Sequence, residues 1–218
     1  PGVGEKRGDH PPPSLAGALG DVLGGEGERH WHQVGLRYTA DGSALPNDLI
    51  VYIGSLPHSR LLLLRPTLNL QVSAGEIRLA SADPHLPPRI NYRYLHESFD
   101  RERLRACVRL CVELVEGGHF TGLIGERLEP APADLASDTE LDEWLLRAAN
   151  TGHHSSGTCK MGPATEPTNV TDQAGRVHGV AGLRVVDAAT MPDCVRANTN
   201  ATVTMMAEYV VDMIKLAG

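Results

Sequence analysis

The sequence lacks three features that would place it in a specialised class of protein. No apolar stretch approaches the roughly 18 residues that a membrane-spanning helix needs, and the leucine run Leu61–Leu64 ends at Arg65. Aromatic residues make up only 4% of the 218 residues, so the composition indicates no aromatic stacking platform. Basic runs are absent and the formal net charge is −7, which argues against a nucleic-acid-binding surface.

Motifs for metals and dinucleotides are also scarce. The GxGxxG fingerprint of a Rossmann site is missing, because the glycines of PGVGEKRG have a different spacing and follow no strand. No pair of cysteines has the CxxC spacing of a zinc or redox site, so we expect no metal. Nothing demands disulfides, and a reducing compartment such as the cytoplasm is the expectation. The four cysteines are Cys107, Cys111, Cys159 and Cys194.

The first two thirds of the chain predict strands followed by helices. Short connections between successive strands favour an antiparallel sheet with flanking helices, an α+β fold. The first helix carries an apolar stripe and stops at Gly117-Gly118, and the second begins after a capping sequence at Ser137. The predicted strands are Gln33–Tyr38, Asn47–Ser55, Thr67–Ser73, Glu76–Ala80 and Arg89–Tyr94, and the predicted helices start near Asp100 and Asp138.

Two stretches near the N-terminus have less regular patterns. The glycine-rich run Ala18–His30 is typical of a mobile loop or the margin of a lid. The alternation of His30, Trp31 and His32 indicates a surface strand or lid rather than metal ligands. The opening PGVGEKRGDHPPP has neither an initiator Met nor a signal-peptide core, so we expect it to lie in the middle of a longer protein.

The last third has a different pattern. Leu183–Val186 is a β-branched run of the kind found in strands buried on both faces, and Asp187 follows at its carboxyl end, where open sheets place ligand contacts. An apolar helix is predicted from Asn200 to Leu216, after good capping residues. Its N-terminus should attract negative charge. Its apolar stripe comprises Val203, Met206, Ala207, Val210, Val211 and Ile214.

These segments together resemble the glucose–methanol–choline (GMC) oxidoreductases, flavoproteins that oxidise alcohols. The resemblance covers nearly the whole chain and is weakest between Ser14 and Ala74. One departure is Lys6-Arg7-Gly8, which replaces the polar and apolar residues that the family pattern leads us to expect before the Asp-His pair. The matching segments, in order, are PGVG…DH (Pro1–His10), GEIRLASADPHLPPRINYRYL (Gly75–Leu95), HxxGTCxMG (His154–Gly162), GLRVVDAAxMP (Gly182–Pro192) and NTNA (Asn198–Ala201).

The resemblance implies an arrangement of three segments and a partner. Residues 1–13 would leave the flavin domain, residues 14–150 would form the substrate or cap domain, and residues 151–218 would return a strand and a helix to the flavin domain. The cofactor would be FAD. Because the Rossmann half of the flavin site is missing, an N-terminal FAD-binding portion would have to supply it, as a separate chain, a cleaved fragment or a missing segment.

The resemblance also implies a reaction and its residues. Hydride would pass from a small alcohol to flavin N5 while His154, by position the family's catalytic histidine, takes the hydroxyl proton. Asn198 matches its partner and would hydrogen-bond the substrate oxygen. Asp187 with Ala188, and the helix start at Thr199, Asn200 and Ala201, would contact the cofactor.

The residues themselves leave other interpretations open. His153 and His154 are adjacent and in an extended segment would point opposite ways, so one of them packs or caps a loop. Asn198 and Asp187 are also ordinary capping residues. Three interpretations of the whole chain therefore stay open. It is the C-terminal part of an FAD-dependent alcohol oxidase or dehydrogenase, a non-catalytic binding remnant of such an enzyme, or a lyase on the same scaffold. An exposed apolar face on the last helix would favour the first, since a self-sufficient binding module should cover it.

Overall fold

The computed structural model describes residues 2–19, 32–56 and 60–217, so the glycine-rich run and the His30-Trp31 pair lie largely outside the described residues. The chain divides into two compact units. The sheet unit comprises Pro11–Leu70 and Glu97–Asn150, and the loop unit comprises Pro1–His10, Gln71–His96 and Thr151–Gly218. The three functional segments expected from the sequence stay a prediction. None of the described helices combines the length and the apolar character needed to cross a membrane.

The sheet unit is built on a five-stranded antiparallel sheet, in the order β2-β3-β4-β1-β7. This confirms the predicted α+β class with a mainly antiparallel sheet. The longest pairing joins β3 and β4, from Leu49 opposite Leu68 to Leu56 opposite Leu61. The strands are β1 (Leu15–Leu19), β2 (His32–Tyr38), β3 (Leu49–Leu56), β4 (Leu61–Leu68) and β7 (Ile124–Glu129).

Three strands of this sheet differ from the sequence prediction. The strand expected at Thr67–Ser73 lies earlier, because β4 is formed by the leucine run, with Leu62 and Leu64 turned into the core. Four leucines in a row hide the alternation that marks a half-buried strand. Strands β1 and β7 were not predicted, since the small residues of LAGAL and the charged residues of IGERLE have weak β propensity. Tertiary pairing decides their conformation.

Two helices complete the sheet unit, and the sequence predicted both. Helix α1 (Ser98–Glu116) ends at Gly117, and helix α2 (Asp138–Ala148) begins after Ser137, whose hydroxyl accepts the backbone N–H groups of Thr139 and Glu140. A core of aliphatic side chains holds these helices and the strands together, each contributing roughly 1.5–3 kcal/mol on full burial. Its fully buried members include Leu49, Val51, Leu104, Val108, Cys111, Leu141 and Leu145.

The loop unit has little regular structure. Strands β5 (Glu76–Arg78) and β6 (Arg89–Asn91) form a short antiparallel pair, and helix α3 (Asn200–Ala217) ends the unit. The buried strand expected at Leu183–Val186 is wrong: the segment makes one isolated bridge, from Arg184 to Arg176, and Leu183 is half exposed. No strand of the described residues pairs with it, and a strand forms only where a partner strand satisfies its backbone.

Candidate active site

Three extended segments of the loop unit lie side by side. Gly8 and Ser156 exchange backbone hydrogen bonds of 3.0 and 3.1 Å, and Arg7 and Gly75 exchange two of 3.0 Å. Gly75 is required at this position, because a Cβ there would lie 2.3 Å from the carbonyl oxygen of Asn91. The pairing brings the residues around position 9 next to those around position 154.

Asp9 is the centre of a hydrogen-bond network. Its carboxylate is 1% exposed. One oxygen accepts the backbone N–H groups of His10 at 2.8 Å and His154 at 3.0 Å, and the other accepts the hydroxyls of Tyr94 at 2.7 Å and Thr151 at 2.6 Å. Burial opposes ionisation, but these four donors outweigh it and lower the pKa of Asp9 below its ordinary value. Asp9 is therefore a fixed anion that ties three distant segments together.

The imidazoles of His10 and His154 form a direct pair. Their Nδ1 atoms are 2.8 Å apart, and the rings meet edge to face with centroids 4.9 Å apart. Because two lone pairs cannot bond to each other, one Nδ1 carries a hydrogen and the other accepts it. In neutral rings, the donor keeps a free lone pair on its Nε2. When His154 is the donor, its Nε2 is therefore a base.

Burial tunes the basicity of His154. The side chain is half-buried, and this desolvation lowers its pKa from the ordinary value of 6.5. The negative charge of Asp9 acts in the opposite direction and raises the pKa, while the neighbouring His153 lowers it further. The net direction is downward, so the neutral imidazole predominates at pH 7, as a general base requires.

The two histidines in sequence have different surroundings. His153 is exposed and has a positive φ of 60°, and its backbone N–H bonds to the Thr151 hydroxyl. The imidazole of His154 contacts that of His10, whereas His153 joins the network through its backbone N–H. Asn198 is exposed. Four residues before it, the thiol of Cys194 donates to the carbonyl oxygen of His154 at 3.5 Å. The pairing of Asn198 with the base stays a prediction.

The residues expected to contact a cofactor lie in two turns. Asp187 caps a short 3-10 helix (Ala188–Thr190) by accepting the N–H of Ala189 at 2.7 Å. Thr199 caps α3, because its carbonyl accepts the first helical bond from Val203 at 2.9 Å. A cavity of about 270 Å³ joins the Asp187 turn to the middle of α3 at Met206 rather than to its N-terminus. Both turns belong to the loop unit, and their cofactor role stays a prediction.

The sequence did not identify four members of the network as site residues. Asp9 and His10 were noted only as part of the PGVG…DH match, and Tyr94 and Thr151 as parts of an extended piece and a helix end. The available signal was the Asp9-His10 pair, because two adjacent ionisable residues within a matched motif indicate a site.

No three His, Cys, Asp or Glu side chains within residues 2–19, 32–56 and 60–217 come close enough to hold a metal ion.

Comparison with known proteins decides the family. The family model for GMC oxidoreductase matches residues 71–207. The chain belongs to the GMC oxidoreductase family. Among curated GMC relatives it is 33% identical over 186 residues to oxygen-dependent choline dehydrogenase 1 of Chromohalobacter salexigens, and 32% identical over 186 residues to an oxygen-dependent choline dehydrogenase of Escherichia coli. Each match covers 85% of this chain and 31% of the relative, so the chain spans about a third of the length of these enzymes.

Two solved structures share the fold of the chain. Pyridoxine 4-oxidase of Mesorbium loti superposes with a TM-score of 0.82 and 23% identity, over 98% of this chain and 43% of that one. A formate oxidase of Aspergillus oryzae, described with FAD modification, superposes with a TM-score of 0.85 and 21% identity, over all of this chain and 48% of that one. At these identities the likeness shows the GMC fold alone. The family model and the curated relatives, not these structures, show that the chain corresponds to the C-terminal domain of GMC oxidoreductases and is homologous to choline dehydrogenases.

Proposed function

We propose that this chain carries the catalytic base of an FAD-dependent oxidoreductase that acts on a small primary or secondary alcohol. The observation that carries the proposal is the Asp9-anchored pair of His10 and His154. A buried carboxylate fixes the backbone of both histidines, and a 2.8 Å contact fixes their rings. A pre-oriented, neutral imidazole is the group that alcohol oxidation needs to take a hydroxyl proton.

Each member of the pair has a role in the proposed reaction. His154 donates its Nδ1–H to His10 and accepts the substrate's hydroxyl proton on Nε2. His10, 1% exposed, then stabilises the resulting imidazolium by accepting the same hydrogen bond. Asp9 holds both backbones and does not titrate at neutral pH, because its pKa lies below the ordinary range. Asn198 is proposed to hydrogen-bond the substrate oxygen without changing its own charge.

The residues present suit the isoalloxazine end of FAD, which when bound would supply the hydride acceptor at its N5. The start of α3 is exposed at Asn200 and Ala201 and has no acidic side chain in its first turn, so its backbone N–H groups and dipole are open to a carbonyl or an anionic group. Thr199 completes that turn, and Asp187 with Ala188 would contact the cofactor from the other turn. The sequence has no GxGxxG turn that would bind the dinucleotide part of FAD.

An exposed apolar face supports an N-terminal FAD-binding portion as the partner. Of the α3 stripe predicted to be buried, only Val210 is below 10% exposed. Larger side chains of the same helix face outward, as does Leu183 at 50%. Such a face marks an interaction surface, and the relatives are long enough to contain a portion that covers it. This disfavours a self-contained binding module. The exposed α3 side chains are Met205, Tyr209, Val211, Ile214 and Leu216.

The test compares histidine variants of the flavin-loaded protein. Flavin absorbance is recorded first, with intact mass of anything that co-purifies, and bleaching by small alcohols is then timed. His154→Gln should slow bleaching by about 10²–10⁴-fold, the usual contribution of a general base. His85→Gln is the matched control, since His85 is exposed and away from the network. A His154→Gln protein that bleaches at the rate of the control would overturn the assignment of the base.

A further inference from the structure

Arg7 is a buried cation next to the proposed base. Its side chain is only 5% exposed. Nη2 donates to the hydroxyl of Ser155 at 2.5 Å, and the guanidinium carbon lies 3.6 Å from the centre of the Tyr92 ring. Among the described residues no carboxylate lies within ion-pair distance of it. A buried charge held by one hydroxyl and one aromatic face is unusual, because burial without a counter-ion is unfavourable.

The contacts of Arg7 do not explain it as packing. Its Nη1 is buried with no hydrogen-bond partner in the described part of the chain. An aliphatic side chain in the same space would leave no N–H unpaired, so packing alone favours such a residue. What the guanidinium adds is the charge-assisted bond to Ser155 and the cation–π contact with Tyr92.

Both added contacts lead to His154. Ser155 is the next residue in the chain, so the bond from Arg7 restrains the backbone on the carboxyl side of His154. On the other side, the Tyr92 ring lies 4.7 Å from that of Tyr94, whose hydroxyl bonds to Asp9, and Asp9 accepts the N–H of His154. These contacts form a closed cycle that passes through the backbone of His154. The loop that carries His154 also includes His153, whose φ is positive.

We propose that Arg7 is a positioning residue for His154, acting through Ser155 and through the Tyr92–Tyr94–Asp9 contacts. This cycle of contacts keeps the His154 imidazole in the orientation that places its Nδ1 against His10. The inference rests on the proposed function for its catalytic meaning. Its geometric content concerns the imidazole itself and is tested without turnover.

The experiment measures the His154 ring in the full 218-residue chain by long-range proton–nitrogen NMR correlation. Loss of signals in His154→Gln assigns the resonances of His154. In Ser155→Ala, which removes only the acceptor, the tautomer populations of His154 should shift and exchange of the shared Nδ1–H should quicken by about tenfold, the loss expected for one charge-assisted bond. Ser155→Thr, which keeps a hydroxyl, should restore the native signals, and Arg7→Leu should reproduce the effect of Ser155→Ala.

One control variant separates the loss of Arg7 from the loss of any arginine. Arg89→Leu removes an exposed arginine of β6 and should leave the His154 signals unchanged. If Arg7→Leu does not fold, Ser155→Ala decides alone. A folded Ser155→Ala whose His154 signals equal those of the native chain overturns the proposal. An active His154→Gln enzyme would overturn the catalytic assignment but not the NMR result, so the two failures are distinguishable.

Discussion

The two units of the chain bury different kinds of side chain. In the sheet unit most of the buried residues are apolar, such as Leu104 and Val108 of α1 at 0% exposed. In the loop unit they are mostly polar or charged, such as Asp9 and His10 at 1%. The sheet unit therefore gains its stability from apolar burial, whereas the loop unit depends on a hydrogen-bond network that also forms the candidate site.

The long helices show the same difference. Helices α1 and α3 have 19 and 18 residues. Helix α1 buries its apolar stripe against the sheet, while within the described chain α3 buries only Val210 of its stripe and leaves Val211 and Ile214 exposed. The comparison shows that the sheet unit has a packed apolar core, whereas the loop unit leaves apolar side chains of its helix exposed.

The two buried arginines also differ. Arg103 bonds to Asp48 at 2.7 Å, to Asp100 at 2.6 Å and to the carbonyl of Leu70 at 2.8 Å. Burial raises the pKa of Asp48, but hydrogen bonds from Arg103, the Ser43 hydroxyl and the backbone N–H of Ala40 outweigh it and lower the pKa. Arg7 has no such carboxylate among the residues that the structure describes. We infer that Arg103 holds the sheet unit together, whereas Arg7 orients a neighbour.

The largest expected effect is at Arg103. Arg103→Ala leaves two carboxylates buried without their cation, and we expect the free energy of unfolding to fall by about 3–5 kcal/mol. Urea unfolding followed by far-UV circular dichroism measures it. The exposed Arg109→Ala is the control and should change stability far less. A loss at Arg103 no greater than the control would show that the sheet unit does not depend on this ion cluster.

A smaller effect should separate the two helices. Leu104→Ala in α1 should destabilise the chain by about 2–5 kcal/mol, because it opens a cavity in a packed core. Ile214→Ala in α3, where the side chain is 40% exposed, should cost less than about 1 kcal/mol. The same urea titrations compare them. An equal loss at both positions would mean that the α3 face is covered in solution by the chain itself or by a second copy.

The smallest effect is a pH dependence confined to the loop unit. His154 has a lowered pKa in the folded chain, with Asp9, His10 and His153 around it, so the unfolded chain binds its proton more readily. Stability should therefore be fully present above pH 6.5 and decline as the pH falls from 6.5 towards the folded pKa. Unfolding measured at pH 7 and pH 5.5 tests this, with His154→Gln expected to have the shallower dependence. The inference fails if native chain and variant respond alike.

Local patterns in the sequence were sufficient to predict the helices and to propose His154 as the base. The α1 stripe, its stop at Gly117 and the Ser137 cap depend on neighbours within four residues, and all three are confirmed. His154 was identified because a short motif matched a family. The GMC family itself is confirmed by the comparisons. The position of β4 was predicted wrongly because its leucine run hides the alternation of a strand. Strands β1 and β7 were not predicted because their conformation depends on distant partners.

The sequence by itself determined the family, the fold class and the position of the proposed base, because each is encoded in residues close together in the chain. Only the tertiary structure decided what surrounds that base. Asp9 lies 145 residues from His154 and His10 lies 144 residues from it, and Arg7 reaches Ser155 across 148. No local spacing connects these residues. Their contacts exist because backbone pairing between two remote segments brings a buried carboxylate, a second imidazole and a buried guanidinium to the same place.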